Sequence, residues 1–246
     1  MNNIRFAAAA IAATLSVAAI AAEPEVTPYR PGVGSPAVLS APGYFELEAG
    51  YDYAKAEGIR SDAIGLTLKY GISDKLGLII GVAPYLRVRG FGDSESGVSD
   101  TSIGLKYVTK VNDTTALGAQ LVTSLPTGSG AFRNDNPNVT LTGLAGFDFA
   151  GFHSDINLGW TRLGEGSSKN RYGWSASLSR AIDGPVSAAL EVSGTRQSGV
   201  SGTQVLASVA YAVNKKLVLD AYVARARSEG VTGNGAGFGM TYLFSK

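Results

Sequence analysis

Acidic and basic side chains stand at every second position of several apolar segments, and these are the residues that could do chemistry. Glu46, Glu48 and Asp52, for example, alternate with aromatic and aliphatic neighbours. Because successive side chains of a β-strand point to opposite faces, the charges share one face and the apolar residues the other. Charges on an enclosed face must be paired or hydrated. The candidates for such a face are Glu46, Glu48, Asp52, Lys69, Arg87, Asp100, Lys106, Asp148, Asp155, Glu191 and Asp220.

Catalytic chemistry has few candidate residues. The chain has one histidine, His153, and no cysteine. A hydrolytic triad needs a histidine beside a nucleophile and an acid, whereas His153 stands alone beside a predicted turn. Zinc sites need several nitrogen or sulfur ligands, and no glycine-rich stretch ends in the Gly-Lys-Ser/Thr of a phosphate loop. We therefore predict no enzyme activity, no metal and no cofactor, and the net charge of +1 gives no indication of a nucleic-acid partner.

Twelve segments of the chain share the period of two that a half-buried strand requires. Their lengths suit tilted strands that cross a bilayer, and an even number is expected of a single-chain bacterial barrel. The segments cover residues 45–53, 64–70, 76–87, 102–107, 115–126, 139–148, 155–160, 172–178, 186–196, 204–211, 217–225 and 237–244.

The connections between these segments alternate between short and long, as in transmembrane barrels with short periplasmic turns and longer external loops. Aromatic residues also recur near both ends of the strands. The sequence therefore predicts an all-β, antiparallel up-and-down transmembrane barrel of about twelve strands in the outer membrane, with a soluble β-sandwich as the alternative. The expected short connections are 71–75, 110–114, 150–153, 183–185 and 213–216, and the long ones are 54–61, 88–99, 127–137, 163–170, 197–202 and 226–234.

The first residues have the features of an export signal. Arg5 precedes an apolar, alanine-rich stretch at 6–20, and small residues follow at 19–22. We predict a cleaved signal peptide at 1–22, a proline-rich segment at 23–43 and a barrel at 44–246. The proline-rich segment is compatible with two placements, either in the periplasm or inside the barrel as a partial plug.

The charged face allows two interpretations. In the first, the charges pair with one another and close the lumen. In the second, they line a narrow aqueous path. Strand polarity places Arg87 near Asp100 at one end of the barrel. At the other end it brings four charges together: Glu46, Glu48, Lys69 and Lys106.

A second group of cations has the opposite parity and would lie on the outside of the barrel near its external ends. We expect these residues to contact the phosphates of lipopolysaccharide, or else to extend toward water as long basic side chains commonly do. They are Lys55, Arg162, Arg196 and Arg225.

Three stretches carry a family resemblance: Pro42-Gly43-Tyr44-Phe45-Glu46-Leu47-Glu48, the strand entry at 97–107, and Leu125-Pro126-Thr127-Gly128. Arg30-Pro31 and the turn at 69–74 fit the same pattern. Together they resemble the outer-membrane proteins named for the meta-pathway of phenol degradation. That resemblance implies a channel or transporter for small, often hydrophobic or aromatic, molecules.

Two further expectations concern the residues before Phe244 and the case in which the lumen is closed. The alternating residues that end in Phe244 resemble the signal read by the barrel assembly machinery, which would be a partner during insertion. The alternative to a channel is a non-conducting barrel with a structural, lipid-binding or surface-interaction role.

Overall fold

The computed structural model describes residues 23–167 and 169–244. The expected signal peptide at 1–22 lies outside the described residues. Within the described ranges no helix is long and apolar enough to cross a membrane.

The described chain consists almost entirely of antiparallel strands joined by short turns, with one 3-10 turn at Gly130–Phe132. The thirteen strands are β1 (Phe45–Ala56), β2 (Ile59–Gly71), β3 (Leu76–Gly90), β4 (Asp93–Gly97), β5 (Thr101–Asn112), β6 (Thr115–Leu125), β7 (Val139–Phe149), β8 (Phe152–Arg162), β9 (Asn170–Asp183), β10 (Val186–Gln197), β11 (Val200–Asn214), β12 (Leu217–Ser228) and β13 (Val231–Leu243).

The sheet closes on itself because β13 pairs with β1, with Leu243 opposite Glu46. Strand β4 is short and occupies the same track as β5: the upper part of β3 pairs with β4 and its lower part with β5. The wall therefore has twelve strand positions, and the predicted antiparallel barrel is confirmed. We call the end that carries Glu46 and Leu243 the inner end, and the opposite end the outer end.

The alternation of residue types explains which side of the wall is buried. Leu158 and Phe238 point outward and are 69% and 62% exposed, whereas Glu46 and Lys106 point inward and are fully buried. A soluble sandwich would bury the apolar face and expose the charged one. The reverse arrangement, with an apolar exterior and a polar interior, is what a barrel surrounded by hydrocarbon requires.

Several connections that the sequence predicted to be long are tight hairpins. The predicted loops at 54–61, 197–202 and 226–234 are strand almost throughout. Hydrophobic alternation ends where the hairpins leave the apolar belt, although backbone pairing continues beyond it, so the sequence pattern missed these strand ends. The left-handed conformation of both central residues is typical of type I′ hairpins, and it occurs at Glu57-Gly58, Ser198-Gly199 and Glu229-Gly230.

A bulge in β3 corrects one predicted lumen residue. Ile64 pairs with Tyr85, but Leu66 pairs with Val82, so β3 contains one more residue than β2 across this interval. An extra residue reverses the faces of everything beyond it. Arg87 consequently has the outward parity of Tyr85, and its predicted position in the lumen is wrong.

Candidate functional site

The N-terminal segment runs inside the barrel and not beside it. Its first described residues contact the turn between β11 and β12, where Val26 N donates to Lys215 O at 2.8 Å and Lys216 lies 3.0 Å from Glu23. The hydrogen bond from Lys216 lowers the pKa of the Glu23 carboxyl. The segment returns to the inner end at Gly43, which continues into β1. Residues 23–43 are called the plug below.

Two glutamates of β1 bind the backbone of the plug where it enters the lumen. Glu46 accepts from Thr27 N at 3.2 Å and from the Thr27 hydroxyl at 2.9 Å. Glu48 accepts from Tyr29 N at 2.6 Å. The plug has no secondary structure of its own, so these carboxylates replace the hydrogen bonds that a strand or helix would supply.

Carboxylates on the opposite wall bind the middle of the plug in the same way. Glu191 of β10 accepts from Val33 N at 2.9 Å and from Gly34 N at 3.1 Å. Asp155 of β8 accepts from Ala37 N at 2.9 Å. The plug is therefore held across the full width of the lumen.

Ser35 is held by two polar wall residues that are not among the predicted lumen charges. Its N–H donates to Asn157 Oδ1 at 2.7 Å, and its hydroxyl donates to Gln120 Oε1 at 2.9 Å. Lys106 donates to the same hydroxyl at 2.8 Å and to Pro36 O at 2.5 Å. Lys106 thus binds the plug instead of joining the predicted lattice of wall ion pairs.

The other buried lysine does form ion pairs in the wall. Lys69 Nζ lies 2.8 Å from Glu46 Oε2 and 2.7 Å from Glu48 Oε1. The ring of Tyr29 lies between two ammonium groups, with Lys69 Nζ 3.9 Å and Lys106 Nζ 3.6 Å from its centroid. Cation–π attraction therefore ties the plug to both lysines.

Arg30 lies flat against the inner wall in a slot made by glycine. A Cβ added at Gly50 would lie 2.2 Å from Arg30 Cζ, and one at Gly239 would lie 2.6 Å from Arg30 Nε. These glycines face each other on β1 and β13. The guanidinium reaches two carboxylates, Asp52 at 3.6 Å and Asp220 at 3.5 Å.

An apolar cluster completes the attachment of the plug. Ala37 and Leu39 pack against Val108, Leu144 and Ala116, which point inward from β5, β6 and β7. These contacts lie below the polar ones and exclude water from part of the lumen.

His153 sits at the inner end between two acids. Its Nδ1 lies 2.7 Å from Asp148 and its Nε2 lies 3.0 Å from Asp155. Because both ring nitrogens are engaged, neither is available to activate a nucleophile. Across residues 23–167 and 169–244, no group of three or more histidine, cysteine, aspartate or glutamate residues could hold a metal ion.

Asp100 and Arg87 do not form the pair that we expected. Asp100 accepts from Gly128 N at 2.8 Å and from Asn134 Nδ2 at 2.7 Å, so it organises the loop between β6 and β7. Arg87 donates instead to Ser94 of β4 at 3.1 Å. The reversal of faces at the β3 bulge explains why the two residues do not meet.

The four rim cations have the outward parity that we expected. Lys55 and Arg225 both lie opposite Asn234 of β13. Arg162 lies opposite Val139 of β7, and Arg196 opposite Tyr172 of β9. All four are close to the outer ends of their strands.

An open cavity of about 780 Å³ lies between the plug and the outer end. Its floor is formed by residues 30–33 of the plug. We call this cavity the vestibule. Small and aliphatic wall residues such as Ala54, Ala63, Leu86, Leu206 and Ala224 are interspersed with polar ones such as Ser61, Thr195 and Gln204.

The alternation in the sequence predicts the wall charges but not their partners in the plug. Tyr29, Arg30 and Ser35 carry most of the side-chain contacts, yet they lie in a stretch without periodicity. An available signal was the set of inward glycines, since Gly50 on β1 and every second residue from Gly233 to Gly239 on β13 leave the lumen wall without side chains there. Such glycines indicate the close approach of another group.

The fold is similar to those of known outer-membrane channels. The COG4313 outer membrane channel from Pseudomonas putida F1 aligns with a TM-score of 0.70 and 16% identity, covering 87% of this chain and 99% of that one. The NanC porin aligns with a TM-score of 0.59 and 11% identity over 80% and 98% of the two chains. The KdgM porin in complex with disordered oligogalacturonate gives 0.55 and 14% over 80% and 99%.

Comparison at the level of sequence gives the family. A search of curated proteins returned no match. A family model described as "Putative MetA-pathway of phenol degradation" matches residues 63–244. This match covers most of the barrel and confirms the resemblance seen in the sequence. The chain therefore belongs to the family described as "Putative MetA-pathway of phenol degradation".

Proposed function

We propose that this protein is an outer-membrane channel for small molecules whose lumen is closed by its own N-terminal plug. The observation that carries the proposal is a closed barrel with an apolar exterior, a polar lumen and a cavity that opens beside a segment held mainly by hydrogen bonds. Hydrogen bonds can be exchanged for bonds to water, so such a segment can leave without unfolding the wall.

The vestibule supports a small, hydrophobic or aromatic substrate. Its volume of about 780 Å³ lies within the range of about 300–1,000 Å³ typical of small-molecule pockets. Its exposed lining is mainly apolar, and polar groups lie both at the floor, with Arg30, Asp52 and Tyr222, and on the wall, with Thr195 and Gln204. The name of the family points toward aromatic compounds as well.

The surroundings of the protein are part of the same proposal. The outward apolar face would contact membrane lipid, and the outer-end cations would contact lipopolysaccharide. The C-terminal strand places Tyr242 and Phe244 edge to face at the inner end, with ring centroids 5.1 Å apart. This arrangement supports recognition by the barrel assembly machinery during insertion.

The second candidate is a non-conducting barrel with a structural, lipid-binding or surface role. The observation that favours it is the completeness of the plug, which combines ion pairs, cation–π contacts and an apolar cluster. We do not propose catalysis, because His153 has no free ring nitrogen and lies at the inner end.

Ion conductance across a planar bilayer distinguishes the two candidates, and Glu191→Ala is the most informative variant. This change removes two bonds to the plug and leaves no unpaired charge, because within the described residues Glu191 binds only backbone N–H groups. We expect the open probability to rise on the order of tenfold or more. Ser193→Ala is the matched control, since Ser193 is the next inward residue of β10 and makes no bond to the plug.

Each result decides between the candidates. Channel openings in the wild type that become more frequent in Glu191→Ala and not in Ser193→Ala support the channel. Complete absence of openings in both variants, with folded barrels in the bilayer, would establish the non-conducting alternative.

A further inference from the structure

Five neighbouring strands place long polar side chains next to one another on the outside of the barrel, near its outer end. The register aligns Arg225 of β12 with Asn234 of β13, and Asn234 with Lys55 of β1. It continues from Lys55 to Arg60 of β2 and from Arg60 to Arg89 of β3. Directly opposed residues share a face, with Cβ atoms roughly 4.5–5.5 Å apart. These five residues are called the cationic row below.

The positive charge of the cationic row is largely uncompensated. Among the described residues, Asp62 is its one ion-pair partner, through Arg89 Nη2 at 2.6 Å. Lys55, Arg60 and Arg225 are exposed and have no ion-pair partner in the same part of the chain. Like charges directly opposite each other destabilise a sheet. Such an arrangement is stable when an external anion bridges the neighbouring cations.

Further cations adjoin the row. Arg227 of β12 and Arg87 of β3 have the same outward parity and lie one step from it along their strands. The hairpin turns nearby carry Glu57 and Glu229, and neither forms an ion pair within the described residues. On the outward face the cations outnumber the acids, so this side of the rim carries a net positive charge.

The surface immediately below the row is apolar. Phe238 is 62% exposed and its ring centroid lies 5.7 Å from that of Tyr51. Ile64 and Tyr85, which face each other on β2 and β3, are 42% and 37% exposed. A ligand of this surface would therefore have an anionic part at the level of the row and an apolar part at the level of these side chains.

We propose that the cationic row is a binding site for a glycolipid that carries two phosphate groups and several acyl chains, as the outer leaflet of an outer membrane provides. The phosphates would accept charge-assisted hydrogen bonds from Lys55, Arg60 and Arg225, and the acyl chains would lie on Phe238 and its neighbours. A free phosphate would leave the apolar surface unused. The inference rests on the proposed outer-membrane location, but it does not depend on whether the lumen conducts.

Binding of bisphosphorylated lipid A to the full chain in phosphatidylcholine nanodiscs tests the proposal, with bound lipid counted by native mass spectrometry. The variant is Arg60→Gln/Arg225→Gln, which removes two charges of the row from residues that do not line the vestibule. The control is Arg133→Gln/Lys169→Gln, which removes the same charge from exposed loops at the outer end. We expect affinity to fall on the order of thirtyfold in the first and little in the second.

Two further probes identify the ligand. Lipid A with both phosphates removed should not bind detectably, and inorganic pyrophosphate should compete only weakly. Equal weakening in the two double variants would overturn the proposal in favour of general surface charge. Equal binding of the dephosphorylated lipid would also overturn it, and so would strong competition by pyrophosphate. Arg60 and Arg225 do not line the vestibule, so conductance measured on the same samples stays unchanged in Arg60→Gln/Arg225→Gln. Failure of the channel proposal can therefore be distinguished from failure of this one.

Discussion

At the scale of single residues, the lumen uses buried charge where a soluble protein would use an apolar core. Glu46, Glu48 and Lys69 are almost completely buried, but every one of them has an oppositely charged neighbour within 2.8 Å. Removing one partner from such a group costs roughly 3–5 kcal/mol, because the remaining charge is left without compensation. The wall charges therefore contribute to the stability of the barrel as well as to the position of the plug.

The slot for Arg30 gives a prediction at this scale. In Gly50→Ala, the new methyl group would occupy the position of the guanidinium carbon, since the added Cβ lies 2.2 Å from it. The end of a flexible side chain moves more readily than the wall, so Arg30 would lose its contacts with Asp52 and Asp220. We expect the open probability in planar bilayers to rise on the order of fivefold and the unfolding temperature of the barrel to fall, because Asp220 would be left buried without its cation.

Gly65→Ala is the matched control for this change. Gly65 lies directly opposite Gly50 on β2 and faces the same lumen, but a Cβ there meets nothing within 4 Å. We expect wild-type conductance from it. An equal effect of the two substitutions would show that Arg30 is not the group displaced.

Parity alone predicted most of the lumen charges, because the direction of a side chain on a strand depends only on the alternation of the backbone. Glu191 and Asp220 were identified in this way although nothing nearby in the sequence explains them. Arg87 was placed on the wrong face because the alternation does not show the bulge, for which Pro84 inside β3 is the sequence signal. Arg30 and Tyr29 could not be predicted as partners of the wall charges, because an irregular segment shows no alternation from which the direction of a side chain can be predicted.

At the scale of elements, the plug has no regular secondary structure, and side chains of the barrel wall accept hydrogen bonds from its backbone. Thr27, Tyr29, Val33, Gly34 and Ala37 each donate their N–H to a wall carboxylate. Ordering such a segment costs conformational entropy, and the contacts with the wall offset that cost. The plug is therefore expected to move as a unit when several of these bonds are lost together.

A disulfide between plug and wall tests this movement. The Cβ that would be added at Gly34 lies 3.4 Å from Ser175 Cβ, close to the spacing of about 3.5–4.5 Å in disulfides. The chain has no native cysteine, so Gly34→Cys/Ser175→Cys introduces one possible bond. In the Glu191→Ala background, we expect oxidation to abolish channel openings and reduction to restore them in the same bilayer.

The single substitution Ser175→Cys serves as the control, and its openings should not respond to oxidant or reductant. Openings that persist in the fully oxidised double-cysteine variant would mean that ions pass without movement of the plug. In that case the path would have to run beside the plug instead of through its position.

The connections between strands show which features of this scale can be predicted from sequence and which cannot. The short turns were located from Asn, Asp and Gly, whose backbone preferences are local. The protruding hairpins were taken for loops, because above the apolar belt both faces of a strand meet water and the alternation disappears. Pairing of β1 with β2 nevertheless continues to Ala56 and Ile59.

At the scale of the whole molecule, the vestibule and the plug are arranged in series along the barrel. A solute that enters from the outer end meets the mainly apolar wall of the vestibule first and Arg30 afterwards. Selection by size and polarity would then take place in the vestibule, before any movement of the plug. This division predicts that the two properties can be changed separately.

Ala224→Trp tests the separation, because Ala224 lines the vestibule and an indole there would fill part of its volume of about 780 Å³. Measured in liposomes containing the Glu191→Ala barrel, the uptake of a small aromatic anion that lipid excludes, such as benzenesulfonate, should fall several-fold, whereas the frequency of channel openings should not change. Val223→Trp adds the same bulk at the neighbouring outward position, which is 61% exposed, and should leave uptake intact. Equal losses in both variants would indicate damage to the wall, and a loss of openings in Ala224→Trp alone would mean that the vestibule and the plug act as one barrier.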